Sequence, residues 1–157
     1  KGVYLSQGES FQVAPNLDTL RASTIFETSD GSIWFGTRGT GAYRLSNDQL
    51  IHFSFIDGLI SDVVTSFAEQ KDGTLWIGTA KGLSRWDGKE FHNFDTSDGL
   101  PSAIVSDLFA DKDGSLWIAT PDGLSRMRDE VFVNYYERHG LAHEMVTSVI
   151  RGPRGFL

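Results

Sequence analysis

The chain has 157 residues, no cysteine, 21 acidic against 14 basic side chains, a net charge of −7 and 17 glycines. That length favours one domain, able to bury about 70% of its unfolded surface without disulfides or a metal. The acidic balance lacks the basic footprint of a phosphate-backbone or anionic-membrane binder, and no run approaches the ~18 apolar residues of a membrane span, so nucleic acid and direct membrane contact are set aside as partners.

In chain order, Val3 to Leu5 and Phe11 to Val13 read as two short strands. Asp30-Gly31-Ser32-Ile33-Trp34-Phe35-Gly36-Thr37 follows, a turn and an apolar strand, and it returns as Asp72-Gly73-Thr74-Leu75-Trp76-Ile77-Gly78-Thr79 and Asp113-Gly114-Ser115-Leu116-Trp117-Ile118-Ala119-Thr120. A second series keeps the same phase, with Gly58-Leu59, Gly99-Leu100 and Gly140-Leu141 spaced 41 apart, as are Gly41, Gly82 and Gly123. The ends obey it too, since Lys1-Gly2-Val3-Tyr4 matches Lys81-Gly82-Leu83-Ser84, and the first copy departs mainly at Asn16-Leu17, where the others have Gly-Leu, and at Gly41-Ala42-Tyr43. A period near 41 marks a repeat architecture.

Within one period, Val63 to Glu69 is β-branched and aromatic, Lys71-Asp72-Gly73 is a turn, and Thr74 to Gly78 is a second apolar run. Leu83 to Trp86, an Asp87-Gly88 turn and the alternating Glu90 to Phe94 complete four strands, with turns of the Asp-Gly type that favour tight hairpins. No window sustains a 3.6-residue period, so helices should be scarce. Four antiparallel strands per ~41 residues predict an all-β chain, a β-propeller of four-stranded blades. Residues 1–16 end one blade, 17–57, 58–98 and 99–139 form three full blades, and 140–157 begin another, with Met145 to Ile150 as its first strand. This strand bookkeeping predicts a partial propeller. The other reading is a closed four-bladed ring in which residues 1–13 and 145–157 share a blade. Trp34, Trp76 and Trp117 should fill the wedges between blades.

Residues 99–120, Gly-Leu-Pro-Ser-Ala-Ile-Val-Ser-Asp-Leu-Phe-Ala-Asp-Lys-Asp-Gly-Ser-Leu-Trp-Ile-Ala-Thr, resemble the two-component regulator propeller repeat, and residues 58–79 and 140–157 carry it as well. The resemblance implies the periplasmic, ligand-sensing propeller of a bacterial sensor histidine kinase or hybrid two-component system. It implies a small-molecule ligand, with a saccharide as the candidate class, and neighbouring blades or a second propeller of the same parent chain as partners. No kinase core lies in these residues, so the chain itself is expected to be a non-enzymatic binding module with no cofactor.

Ligand contacts in a propeller are expected on loops held by a rigid frame. The Asp-Gly turns have little reach, which leaves the second-to-third-strand turns and the connections between blades. Charges that vary between equivalent positions there are not required by the frame. This singles out Arg38, Lys81 and Asp122 on the turns and Asp62, His143 and Glu144 on the connections as ligand-binding candidates. His139-Gly140-Leu141-Ala142-His143 could pair imidazoles, but a loop containing glycine, with no third ligand in register, argues against a metal. Asp111-Lys112-Asp113-Gly114 lacks the distal ligands of a calcium loop and reads as a hairpin turn. His52 and His92 are expected on fourth strands facing solvent.

Two alternatives stand beside the sensor. Asp30 to Phe35 is also matched in propellers of the streptogramin-lyase type, and an enzyme of that kind would need convergent His and Glu groups, for which only His139, His143 and Glu144 are available. A protein-interaction propeller without a small ligand is the second.

Overall fold

The computed structural model describes residues 20–152, together with the strands β1 (Tyr4–Gln7), β2 (Ser10–Val13) and β16 (Gly155–Phe156). The Asn16-Leu17 departure of the first copy lies outside the described residues, as does Val3.

Three four-stranded antiparallel sheets follow one another. The first is β3 (Ala22–Glu27), β4 (Ile33–Thr37), β5 (Ala42–Ser46) and β6 (Gln49–Phe53). The second is β7 (Val64–Glu69), β8 (Leu75–Thr79), β9 (Gly82–Trp86) and β10 (Phe91–Phe94). The third is β11 (Asp107–Ala110), β12 (Leu116–Thr120), β13 (Gly123–Arg128) and β14 (Val131–Tyr135). Each sheet is a simple meander, and β1 pairs with β2 while β15 (Arg151–Gly152) pairs with β16. Among the described residues helix is confined to two single 3-10 turns, Phe55–Asp57 and Glu137–His139. This is the architecture of a partial propeller.

The period of two along each second strand builds the core. Leu75 and Ile77, with Val64 and Phe67 of β7, turn one face of the second sheet toward Trp34 of the first, while Trp76 turns the other way to pack with Leu116 and Ile118 of the third sheet. Trp34 is 2% exposed, stacks on Phe53 at 5.4 Å and meets Phe67 and Trp86 of the second sheet at 6.3 and 6.4 Å. Trp76 packs 5.7 Å from Phe94, which in turn meets Phe132 of the third sheet at 6.1 Å. Trp34 and Trp76 fill the two wedges between the three sheets, as their place on an apolar strand predicts, while Trp117 is half-buried and packs with Leu141, Val146 and Val149 of the segment after the third sheet.

Two expectations need correcting. The predicted first strand Met145 to Ile150 is irregular as far as Ile150, and the strand begins only at Arg151. Its backbone donors are satisfied elsewhere: Val146 N donates to the Thr120 carbonyl at 2.9 Å and Val149 N to the Asp107 carboxylate at 3.1 Å. The turns joining third and fourth strands are not uniformly Asp-Gly either. Asn47-Asp48 and Asp129-Glu130 adopt φ of 50–60° as two-residue loops, a left-handed geometry that Asn and Asp tolerate better than other residues with a Cβ.

Candidate functional site

The sheets have two unlike ends. At one end, the loop end, lie the second-to-third-strand turns and the long connections between sheets. At the other, the turn end, lie the short hairpins.

The loop end is interlocked by backbone hydrogen bonds. Arg38 forms a bridge with Val63, Gly41 N donates to the Asp62 carbonyl and Ala80 N to the Val63 carbonyl. Val105 N reaches the Thr79 carbonyl and Val146 N the Thr120 carbonyl. Each connection therefore crosses the preceding turn, which gathers Arg38, Asp62 and Lys81 at the start of the second sheet. Asp122 is brought by the same device beside the connection bearing His143 and Glu144. The six predicted residues share one end but form two groups.

Their side chains differ in availability. Arg38, Lys81, Asp122, His143 and Glu144 are exposed. Asp62 is half-buried and its Oδ1 accepts from the backbone N–H of Phe55 at 2.8 Å, so it closes its own loop. His143 Nδ1 accepts from Met145 N at 3.0 Å, the part that Ser61 Oγ plays for Val63 N two repeats earlier. His139 Nδ1 accepts from Tyr136 N, where Asp57 and Asp98 accept from Ser54 N and Asp95 N in the other copies. The carboxyl of Asp57 is held below its ordinary pKa by the hydroxyl and N–H of Ser54, and that of Asp95 by the hydroxyl and N–H of Ser97. Open hollows remain, one of about 740 Å³ beside Arg21, Ser23, Arg38 and Thr40 and one of about 500 Å³ beside Tyr136, Arg138 and Glu144.

The loop frame rests on residues that the charge comparison passed over. Asn93 donates to the Gly58 carbonyl at 2.9 Å and accepts from Ser84 Oγ at 2.6 Å; Asn134 repeats this on Gly99 at 2.8 Å and Ser125 at 2.7 Å. These bonds anchor each Gly-Leu connection to the Gly-Leu-Ser strand, which explains why both motifs recur in register. The signal was present, since Asn93 and Asn134 stand 41 residues apart. The first copy has Tyr43 and His52 there instead, stacked at 4.3 Å, with His52 Nε2 on the Thr40 carbonyl. His52 is exposed as expected, and His92 is half-buried.

At the turn end, third-strand arginines hold the Asp-Gly turns. Arg44 donates to Asp30 at 2.8 Å and to Ser32 Oγ at 3.1 Å, and Arg126 to Asp113 at 2.9 Å and to Ser115 Oγ at 2.8 Å. Hydrogen bonds from Thr28 and Ser32, with Arg44 nearby, bring the Asp30 pKa down to about 2. Asp87, Glu90 and His92 set three possible metal-ligand atoms within 4.8 Å of one another, but Asp87 Oδ1 already accepts from the N–H groups of Lys89 and Glu90. The backbone bonds from Glu90 and Lys89 and the contact with His92 lower its pKa to about 2.

The family model described as two component regulator propeller matches residues 16–39, 58–81 and 99–122. No curated protein matches the sequence. Among solved structures, the extracellular domain assigned to a hybrid two component system of B. thetaiotaomicron is 21% identical with a TM-score of 0.78, over 92% of this chain and 21% of that one. Virginiamycin B lyase of Staphylococcus aureus is 13% identical with a TM-score of 0.69, over 93% of this chain and 50% of that one. PorZ, a surface component of the type-IX secretion system of Porphyromonas gingivalis, is 19% identical with a TM-score of 0.67, over 96% of this chain and 24% of that one. The chain thus spans between about a fifth and a half of these structures, and at such identities the likeness is one of fold.

Proposed function

We propose that this chain, which carries three two component regulator propeller repeats, is part of a ligand-sensing propeller whose loop end recognises a small polar molecule. The observation that carries the reading is the interlocking of turns and connections by backbone bonds, which presents variable charged side chains from a repeated frame. Arg38, Lys81, Asp122 and Glu144 are the exposed contacts in this reading, with His143 offering its free ring edge. Asp62 serves as the brace of its loop. A saccharide suits paired hydrogen-bonding charges beside the Tyr136 ring, and binding would shift one connection relative to the next, a displacement that an output domain could read. The extracellular domains of two component systems among the similar structures support an extracellular or periplasmic setting. Among the described residues no helix is long and apolar enough to cross a membrane.

We further read the chain as non-catalytic. Both His139 and His143 use Nδ1 to accept a backbone N–H, which removes them as a convergent acid–base pair with Glu144. The test is a thermal-shift panel of mono- and disaccharides on the chain, on Lys81→Ala and on Asp122→Ala. A saturable stabilisation by one class that either variant weakens supports the reading. No hit, or hits indifferent to both variants, refutes it.

A further inference from the structure

The first sheet differs from its two neighbours at the loop end in length and in charge. Trp34 and Trp76 stand 42 residues apart but Trp76 and Trp117 only 41, and the extra residue lies in the turn between second and third strands, Arg38-Gly39-Thr40 against Ala80-Lys81 and Pro121-Asp122. The longer turn keeps the brace of the shorter ones: Thr40 N donates to Thr37 Oγ1 at 2.9 Å, as Lys81 N does to Thr79 Oγ1 and Asp122 N to Thr120 Oγ1. The insertion therefore adds Arg38 and Gly39 without loosening the turn. The space beside Gly39 is open, since a Cβ there would meet nothing within 4 Å.

Beside this turn lies the hollow of about 740 Å³, lined by Arg21, the residue before β3, and by Arg38, and by no carboxylate among the described residues. Where the first copy has Arg21 the later ones have Val63, Ile104 and Met145, and where it has Arg38 they have Ala80 and Pro121, so the frame requires charge at neither position. Two separate differences between copies thus bring two guanidinium groups to one hollow. Its hydroxyls are engaged, Ser23 Oγ donating to the Gly36 carbonyl at 3.1 Å and Thr40 Oγ1 to Thr37 Oγ1 at 2.9 Å. Elsewhere Arg44, Arg85, Arg126, Arg128 and Arg151 form ion pairs, and Arg138 lies 4.9 Å over the Tyr136 ring. Arg21 and Arg38 have no ion pair and no ring contact among the described residues, although the chain carries 21 acidic side chains. Asp62, next to the Val63 that bridges Arg38, turns its Oδ1 to the Phe55 N–H instead. A hollow lined by charge of one sign concentrates the opposite charge.

We propose that this hollow holds the oxyanion of an acidic sugar, a carboxylate or a sulfate ester, between the guanidinium groups of Arg21 and Arg38. A guanidinium fork matches two oxygens of such a group and stays charged at every physiological pH. The inference gives Arg21 a part in binding and names the ligand class of the loop end, and it rests on the reading of that end as the ligand face.

The test titrates D-glucuronate, D-glucose 6-sulfate, D-glucose and inorganic sulfate into the chain while the arginine Nε–H resonances are followed by NMR. Saturable shifts of the Arg21 and Arg38 resonances are expected with at least one charged sugar, with affinity tenfold or more above that for glucose and weakened by sodium chloride. The comparison of glucuronate with the sulfate ester tells which oxyanion the hollow takes. Arg21→Ala and Arg38→Ala should each weaken binding by tenfold or more, whereas Arg128→Ala, which removes the same charge at the turn end, should leave it unchanged. Resonance dispersion and melting midpoint verify that each variant folds. The absence of a saturable shift with either charged sugar, binding that survives both arginine substitutions, or inorganic sulfate binding as tightly as the sugars, an adventitious ion only, overturns the proposal. A neutral saccharide that binds through Lys81 or Asp122 and leaves Arg21 and Arg38 unmoved also overturns it, with the loop-end reading intact. Charged sugars that need Arg21 and Arg38 but are indifferent to Lys81→Ala and Asp122→Ala uphold it and fail the wider set of contacts.

Discussion

Replacing Gly78 by alanine isolates the close packing between sheets. Gly78 lies within β8 and is not among the residues with positive φ, so alanine meets no backbone strain there, and only space decides the outcome. A Cβ at this position would stand 2.5 Å from Ser66 Oγ and 2.7 Å from Val105 Cγ1, both on elements fixed by the β7–β8 ladder and by the Val105 N bond to Thr79. Overpacking of this kind costs about 1–3 kcal/mol, and the stiffer unfolded chain returns about 0.4–1 kcal/mol. The net expectation is a loss of about 1–2 kcal/mol, read by urea denaturation with an unchanged slope, or a melting point lower by about 2–8 °C. The third copy tolerates Ala119 at the equivalent place because the residue paired with it, Asp107, instead reaches Ser148 and Val149 of the following segment. Ala119→Gly should therefore also destabilise, since it removes a fully buried methyl and loosens the unfolded chain. Ser66→Ala in the Gly78→Ala background should recover part of the loss. A neutral or stabilising Gly78→Ala would refute the argument.

Other outcomes follow from the same geometry. Asn134→Ala should cost about 1–3 kcal/mol by orphaning the Gly99 carbonyl and Ser125 Oγ, and hydrogen exchange should rise first in residues 95–106. Asp30, Asp57, Asp87, Asp95 and Asp113 all have folded pKa values below their ordinary range, two of them at about 2. The unfolded chain therefore binds more protons below about pH 4, so this part of the stability is complete above that pH and is lost as pH falls toward about 2. Asp30→Asn should flatten the acid limb of a pH-dependent melting curve.

The repeat and its four strands were legible because the turns, glycines and tryptophans recur in phase, and period two along Leu75-Trp76-Ile77 already says which side chain faces which neighbouring sheet. The loop end was legible from the brevity of the hairpins. What variation between copies could not reveal is whether a varying residue is free. Asp62 and His143 look like ligand contacts by that criterion, yet each caps a backbone N–H, because several side-chain types can close the same turn. Arg85 shows the reverse case: an arginine identical in all three copies changes partner in one, where it reaches Glu130 of the next sheet, 45 residues away. Met145 to Ile150 has the composition of a strand, and its donors bond to Thr120 and Asp107 instead of to a ladder.

The central claim is that the loop end receives the ligand, and hydrogen–deuterium exchange on the chain with and without the best saccharide of the panel tests it most directly. The account predicts slowed exchange in residues 54–63, 80–81, 121–122 and 136–146, with residues 28–32, 70–74 and 111–115 unchanged. Protection confined to those three hairpin turns, with the loop end unaffected, would contradict it.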